Sequence, residues 1–168
     1  MRNIKMRRTI VIIILAVILF ASLLRYSHRA VKRNFSDFHV NYIAGVRMLE
    51  RANLYDFYKS GLANFKYPPF FAFLMMLLGL WDEFWAAILW HIINFLLLIL
   101  CFKYIRKILN GTINYGQGVF LYVATIVLSM RFILQNLDEG QVNILMMSAL
   151  IFSIYFLIKG RDLIAGSF

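Results

Sequence analysis

Pro68-Pro69-Phe70-Phe71-Ala72-Phe73-Leu74-Met75-Met76-Leu77-Leu78-Gly79-Leu80 is too apolar for a surface loop and short for a membrane span. As a helix it would rise about 20 Å, against a hydrocarbon core of about 30 Å. Whether it crosses, or dips in from one face, decides the side on which its neighbours lie. Four longer apolar runs surround it, at 10–24, 85–102, 119–134 and 143–158. Each would rise roughly 22 to 27 Å, with terminal Lys, Arg and aromatic side chains reaching the interfaces. If 68–80 crosses, Lys103, Arg106 and Lys107 fall outside. If it dips in, they lie inside with the amino terminus, as do Lys159 and Arg161. The second arrangement obeys the positive-inside bias at every short loop, and it is the one adopted. It gives a cytoplasmic amino terminus and first transmembrane helix (1–24), then an external loop with an amphipathic helix and a short Pro-Pro helix (25–84). Residues 85–168 supply three further transmembrane helices (85–102, 119–134, 143–158) and the start of another.

The composition agrees with a bilayer as solvent. Of 168 residues, 62% are hydrophobic, where a soluble domain has about half. The fold expected is an all-α integral membrane bundle with several spans. The net charge is +10, but Lys and Arg sit at the edges of apolar runs. The lipid bilayer and its anionic headgroups are therefore the expected partners, and nucleic acid is not. The lone Cys101 excludes an intramolecular disulfide and a multi-cysteine metal site. Arg2, Lys5, Arg7 and Arg8 precede the first run, which is long for a signal peptide and lacks a small-x-small cleavage site. The terminal Leu163-Ile164-Ala165-Gly166-Ser167-Phe168 reads as the opening of a further span, so the chain is expected to be a truncated bundle.

The external loop holds the residues with chemistry to offer. Ser36 suits a helix cap, and Phe38, Tyr42, Val46 and Leu49 give that helix an apolar face, ending before Asn53. It reads as an amphipathic helix in the interface. Asp37 falls in its first turn, where free N–H groups favour a carboxylate. It is the candidate general base, with helix capping or headgroup contact as the plainer alternative. His39 is placed to tune Asp37 or to contact substrate. Lys66 lies just before a helix whose first turn carries Pro69, a combination that suits a phosphate. A lysine snorkelling at a helix start has the same sequence. Gln135-Asn136-Leu137-Asp138-Glu139-Gly140-Gln141-Val142-Asn143 reads as a loop with more amides and acids than a turn needs, suited to sugar hydroxyls. Arg131 lies inside an apolar run, and its expected partner is Asp138, Glu139 or a lipid phosphate, with snorkelling to the interface as the competing reading. His91 and Asn94 share a helix face and suit bonds between helices. There is no P-loop, no His-Glu-x-x-His and no complete Gly-x-Gly-x-x-Gly.

Taken in order, Asp37-Phe38 with Tyr42 and Ala44-Gly45, Leu54-Tyr55-Asp56, Phe65-Lys66-Tyr67-Pro68-Pro69-Phe70, Gln135-Asn136, Gly140-Gln141-Val142-Asn143 and Lys159-Gly160 to Ala165-Gly166 carry a resemblance. The chain resembles the amino-terminal part of glycosyltransferase family 87, the polyprenyl-phosphate-mannose-dependent alpha-mannosyltransferases of the GT-C superfamily. The resemblance implies a GT-C-like multispan bundle in a bacterial plasma membrane. It also implies transfer of a hexose, mannose, from a polyprenyl-phosphate donor to a glycan or glycolipid hydroxyl, with inversion. Asp37 would activate the acceptor, and Lys66 and Arg131 would approach the donor phosphate. His39, Tyr42, Tyr67, Asn136, Gln141 and Asn143 would contact substrate. No cofactor is assigned; some GT-C enzymes need a divalent metal, but no ligand set stands out here. Asn53 departs from the small residue that members often carry. Family members are far longer, and a non-catalytic multispan protein, such as an accessory subunit, a carrier fragment or an enzyme remnant, is the alternative.

Overall fold

A computed structural model describes residues 17–26, 37–55, 65–109 and 115–168, of which 115–119, 122 and 123 by backbone alone. Among them every regular element is a helix. The helices are α1 (Val17–Tyr26), α2 (Asp37–Leu49), α3 (Pro69–Gly79), α4 (Glu83–Leu109), α5 (Tyr115–Glu139), α6 (Asn143–Ile158) and α7 (Asp162–Ala165). Most of the expected first span, and Ser36, lie outside the described residues. The chain divides into two compact units. One holds residues up to Ile92 together with Asp138–Gly140; the other holds Ile93–Leu137 and Gln141–Phe168.

In the first unit, α2 and α3 pack on each other through glycine. A Cβ at Gly45 would stand 2.5 Å from the Met75 carbonyl oxygen, and one at Gly79 would stand 3.1 Å from the Val46 nitrogen. Such an approach requires the absence of a side chain. This changes the face expected of α2. Phe38, Val40, Asn41, Ala44 and Gly45 are its buried residues, while Tyr42 and Val46 are half-buried and Leu49 is exposed. Small residues made no contribution to the apolar stripe read from sequence, yet they let two backbones meet. The helix also stops at Leu49, before Asn53. Arg51 takes a left-handed conformation (φ 55°), and the Asn53 side chain accepts the Tyr55 amide at 3.1 Å in a local turn.

Aromatic rings fill the unit's core. Trp90 of α4 lies 6.5 Å from Phe38 and 6.4 Å from Phe71, centroid to centroid. Its indole N–H donates to the Gly140 carbonyl at 2.9 Å, which satisfies a polar group in a dry place. Tyr26 of α1 lies over His91 at 4.5 Å, and His91 Nε2 is 3.0 Å from Ser22 Oγ. That is the bond between helices expected of His91.

The second unit is built from the remainder of α4, most of α5, α6 and α7. Apolar α6 has the limits expected, 143–158. Helix α5 runs past its expected end at Leu134 to Glu139, so the polar Gln135–Glu139 ride on a helix and the connection shrinks to three residues. Gly140 is the stop: its φ is +63°, and the Gln141 N–H reaches back to the Asn136 carbonyl at 3.1 Å, the bond of a Schellman cap. Gly160 ends α6 in the same way, with Gly160 N–H to Leu157 O and Arg161 N–H to Phe156 O, both 2.9 Å. Where residues 163–168 were expected to open another span, Asp162–Ala165 form the single turn α7 packed on α6, with Ser153 Oγ donating to the Ala165 carbonyl at 2.8 Å.

Among the described residues, α4 alone is long and apolar enough to cross a membrane. Residues 124–139 and 143–158 pass together, as a pair bent by 119°, where two separate spans were expected. At 11 residues, α3 rises about 16 Å, about half of a bilayer core. Large apolar side chains face outward on several helices, including Phe20, Phe70, Leu77, Leu128 and Phe132.

Candidate functional site

Asp37 is the first residue of α2 and is half-buried. The N–H groups of a first helical turn have no partner within the helix, and a carboxylate there is favoured. The phenol of Tyr67 lies within reach of its charge. Burial raises the Tyr67 pKa first, and the negative charge of Asp37 raises it further. Tyr67 is anchored by its ring, 5.0 Å from Phe71 and 5.9 Å from Phe65, and its carbonyl accepts the Tyr55 hydroxyl at 3.2 Å. Lys66 precedes it and is exposed. Pro68 then caps α3 with an extended conformation (φ −60°, ψ 154°), and Pro69 opens the helix. Asp37, Lys66 and Tyr67 thus belong to one unit, with Asp37 and Tyr67 near enough to feel each other.

His39 and Tyr42 have partners within the protein. His39 Nδ1 lies 2.5 Å from Glu83 Oε1, and the Tyr42 hydroxyl donates to the Trp81 carbonyl at 2.9 Å. The bonds fasten α2 to the start of α4 and to the turn before it. The hydrogen bond to Glu83 raises the His39 pKa; burial lowers it, and the Glu83 charge raises it again. Burial raises that of Tyr42, followed by the charges of Glu83 and Asp82. Glu83 was not singled out from sequence. It lies 44 residues from His39, and no local spacing joins them.

The polar segment after Arg131 divides between the two units. In the first, Asp138 is nearly buried and pairs with Arg25 at 2.6 Å. Arg25 lies at the end of α1; Arg131, for which Asp138, Glu139 or a lipid phosphate had been expected, is exposed on α5. Gly140 lies against α2: a Cβ there would stand 2.6 Å from Phe38 Cβ. In the second unit, three amides form a short chain. Asn143 Nδ2 donates to Gln141 Oε1 at 2.9 Å, and Asn136 Nδ2 approaches the same oxygen at 3.4 Å. The Asn136 Oδ1 atom is buried without a hydrogen-bond partner among the described residues. Buried amide oxygens ordinarily find a donor.

The described residues thus combine helices bearing outward apolar side chains, an acid at a helix start and a lysine before a proline-opened helix. Residues 65–168 match the sequence model of glycosyltransferase family 87, and the chain belongs to that family. Asp37, His39 and Tyr42 precede the matched residues. The chain is also 26% identical over 156 residues to a polyprenol-phosphate-mannose-dependent alpha-(1-2)-phosphatidylinositol pentamannoside mannosyltransferase of Mycobacterium tuberculosis (strain CDC 1551 / Oshkosh). That similarity covers 89% of this chain and 36% of the relative, so the chain spans just over a third of the relative's length. No solved structure matches.

Proposed function

We propose that the chain is part of a membrane glycosyltransferase that moves mannose from a polyprenyl-phosphate donor to a hydroxyl of a glycan or glycolipid. The observation that carries this reading is Asp37 at the head of α2, beside the Tyr67 phenol and in the same unit as Lys66. The acceptor oxygen attacks the anomeric carbon as Asp37 takes its proton. The bond to the lipid phosphate breaks on the opposite side, and the sugar inverts. Negative charge grows on the leaving phosphate, where a cation such as Lys66 is worth most. Arg131, in the second unit, is a cation with the chemistry to hold a phosphate. The amides of Asn136, Gln141 and Asn143 offer donors and acceptors to sugar hydroxyls. His39 and Tyr42 keep α2, and with it Asp37, in place through Glu83 and Trp81, beyond any contact they make with substrate. The outward apolar side chains support a bilayer setting.

The test is transfer from radiolabelled polyprenyl-phosphate mannose in membranes carrying the chain. Asp37→Asn is expected to lower transfer by about 10²- to 10⁴-fold with membrane insertion unchanged. Equal transfer by that variant removes Asp37 as the base. No transfer by the unaltered chain would favour the non-catalytic reading.

A further inference from the structure

The second unit carries a feature that sugar transfer does not use. Lys103, Arg106 and Lys107 lie in the last two turns of α4, and Lys159 and Arg161 follow the end of α6. All five are exposed. Ring contacts bring the two groups together: Tyr104 lies 4.7 Å from Tyr155, and Lys107 Nζ lies 4.9 Å and 5.4 Å from the centroids of those rings. Among the described residues, none of the five cations makes a salt bridge. Asp162 is the acid beside them in sequence, and it occupies the first turn of α7.

Two plainer roles fit less well. The α6 carbonyls of Phe156 and Leu157 are already capped by the backbone N–H groups of Arg161 and Gly160, so the side chains are not needed for that. Nor is the surroundings that of a charged face turned to water. Leu157, Ile158, Leu163, Ile164 and Phe168, close in sequence to Lys159 and Arg161, are exposed, Leu163 at 94%. Cations, tyrosines and bare aliphatic side chains within a few residues of one another match the boundary of a bilayer, where each kind of group has its own layer.

We propose that this end of the second unit is a binding site for anionic phospholipid headgroups. Lys103, Arg106, Lys107, Lys159 and Arg161 hold the phosphate, Tyr104 and Tyr155 lie at headgroup depth, and α7 lays Leu163 into the acyl region. Near an anionic surface each Lys or Arg raises affinity about fivefold.

The experiment is lipid retention by the intact chain, purified in detergent with equal amounts of phosphatidylglycerol and phosphatidylcholine, and read by mass spectrometry of the bound lipid. The unaltered chain is expected to retain phosphatidylglycerol severalfold over phosphatidylcholine. Replacing all five cations by Gln should abolish that preference. Lys159→Gln with Arg161→Gln, both past the end of α6, should lower it and supply the answer if the fivefold variant does not fold. Arg47→Gln with Arg51→Gln, an equal loss of charge in the other unit, should leave it unchanged. No preference in the unaltered chain, or an undiminished one in the Lys159/Arg161 variant, overturns the proposal. Displacement of the lipid by inorganic phosphate would make this a free-anion site and overturn the lipid assignment.

Discussion

At the scale of single residues, the bond between His39 and Glu83 makes the hold on α2 depend on pH. Glu83 binds the protonated imidazole better than the neutral one, so the His39 pKa is higher in the folded protein than in the unfolded chain. The stabilisation is therefore complete below the unfolded value of about 6.5, and it is lost as pH rises through the raised folded value. Glu83→Gln should remove that dependence and lower stability below pH 6 by about 1 kcal/mol, since both groups are partly exposed. Thermal unfolding of the two proteins across pH checks this, and parallel profiles would exclude the pair as its source. Asp37 and Lys66 were legible as candidates because their settings are local: a helix start for one, a proline-opened helix for the other. The partners Glu83 and Arg25 were not. Their bonds are made by the fold, across 44 residues to His39 and from α1 to the end of α5.

At the scale of elements, the meeting of α2 and α3 depends on two missing side chains. Gly45→Leu would drive a branched side chain into the Met75 backbone, and overpacking of this kind costs about 1 to 3 kcal/mol. Gly45→Ala should cost less but remain destabilising. Gly140→Ala meets both Phe38 and a left-handed backbone, and a loss of about 2 kcal/mol or more is expected. Chemical denaturation of the three variants measures these effects; unchanged midpoints would mean that the helices separate freely. The limits of α6 could be read from hydropathy because the polar Gly140-Gln141 precede it and Gly160 closes the run. The end of α5 could not. Gln135–Glu139 are polar enough to resemble a loop, but helices accept Gln, Leu and Glu well, and the chain turns only where Gly140 permits it. The buried face of α2 was missed for a related reason. Ala44 and Gly45 add little to hydropathy, and their value appears only when another backbone lies 2.5 Å from an absent Cβ.

At the scale of the molecule, α4 is the member on which a bilayer topology rests. Its 27 residues rise about 40 Å, enough to cross the core and reach both interfaces. If it crosses, Asp82 and Arg106 lie on opposite sides. In a Cys101→Ala background, an impermeant maleimide applied to intact cells should label Asp82→Cys and should reach Arg106→Cys only after permeabilisation. Labelling of both from one side would exclude the crossing. The overall helical class was legible from composition, since no other element satisfies its backbone in lipid without closing into a barrel. The number of spans was not, because hydropathy cannot distinguish two crossing helices from one pair bent by 119°. The bond from Trp90 to Gly140 also has an optical consequence. Of three tryptophans, Trp81 and Trp85 are exposed and Trp90 is buried. With the first two replaced by Phe, the remaining ultraviolet emission comes from one indole wedged between α2, α3 and the Gly140 turn, and a red shift in its colour would announce that the turn has left its seat.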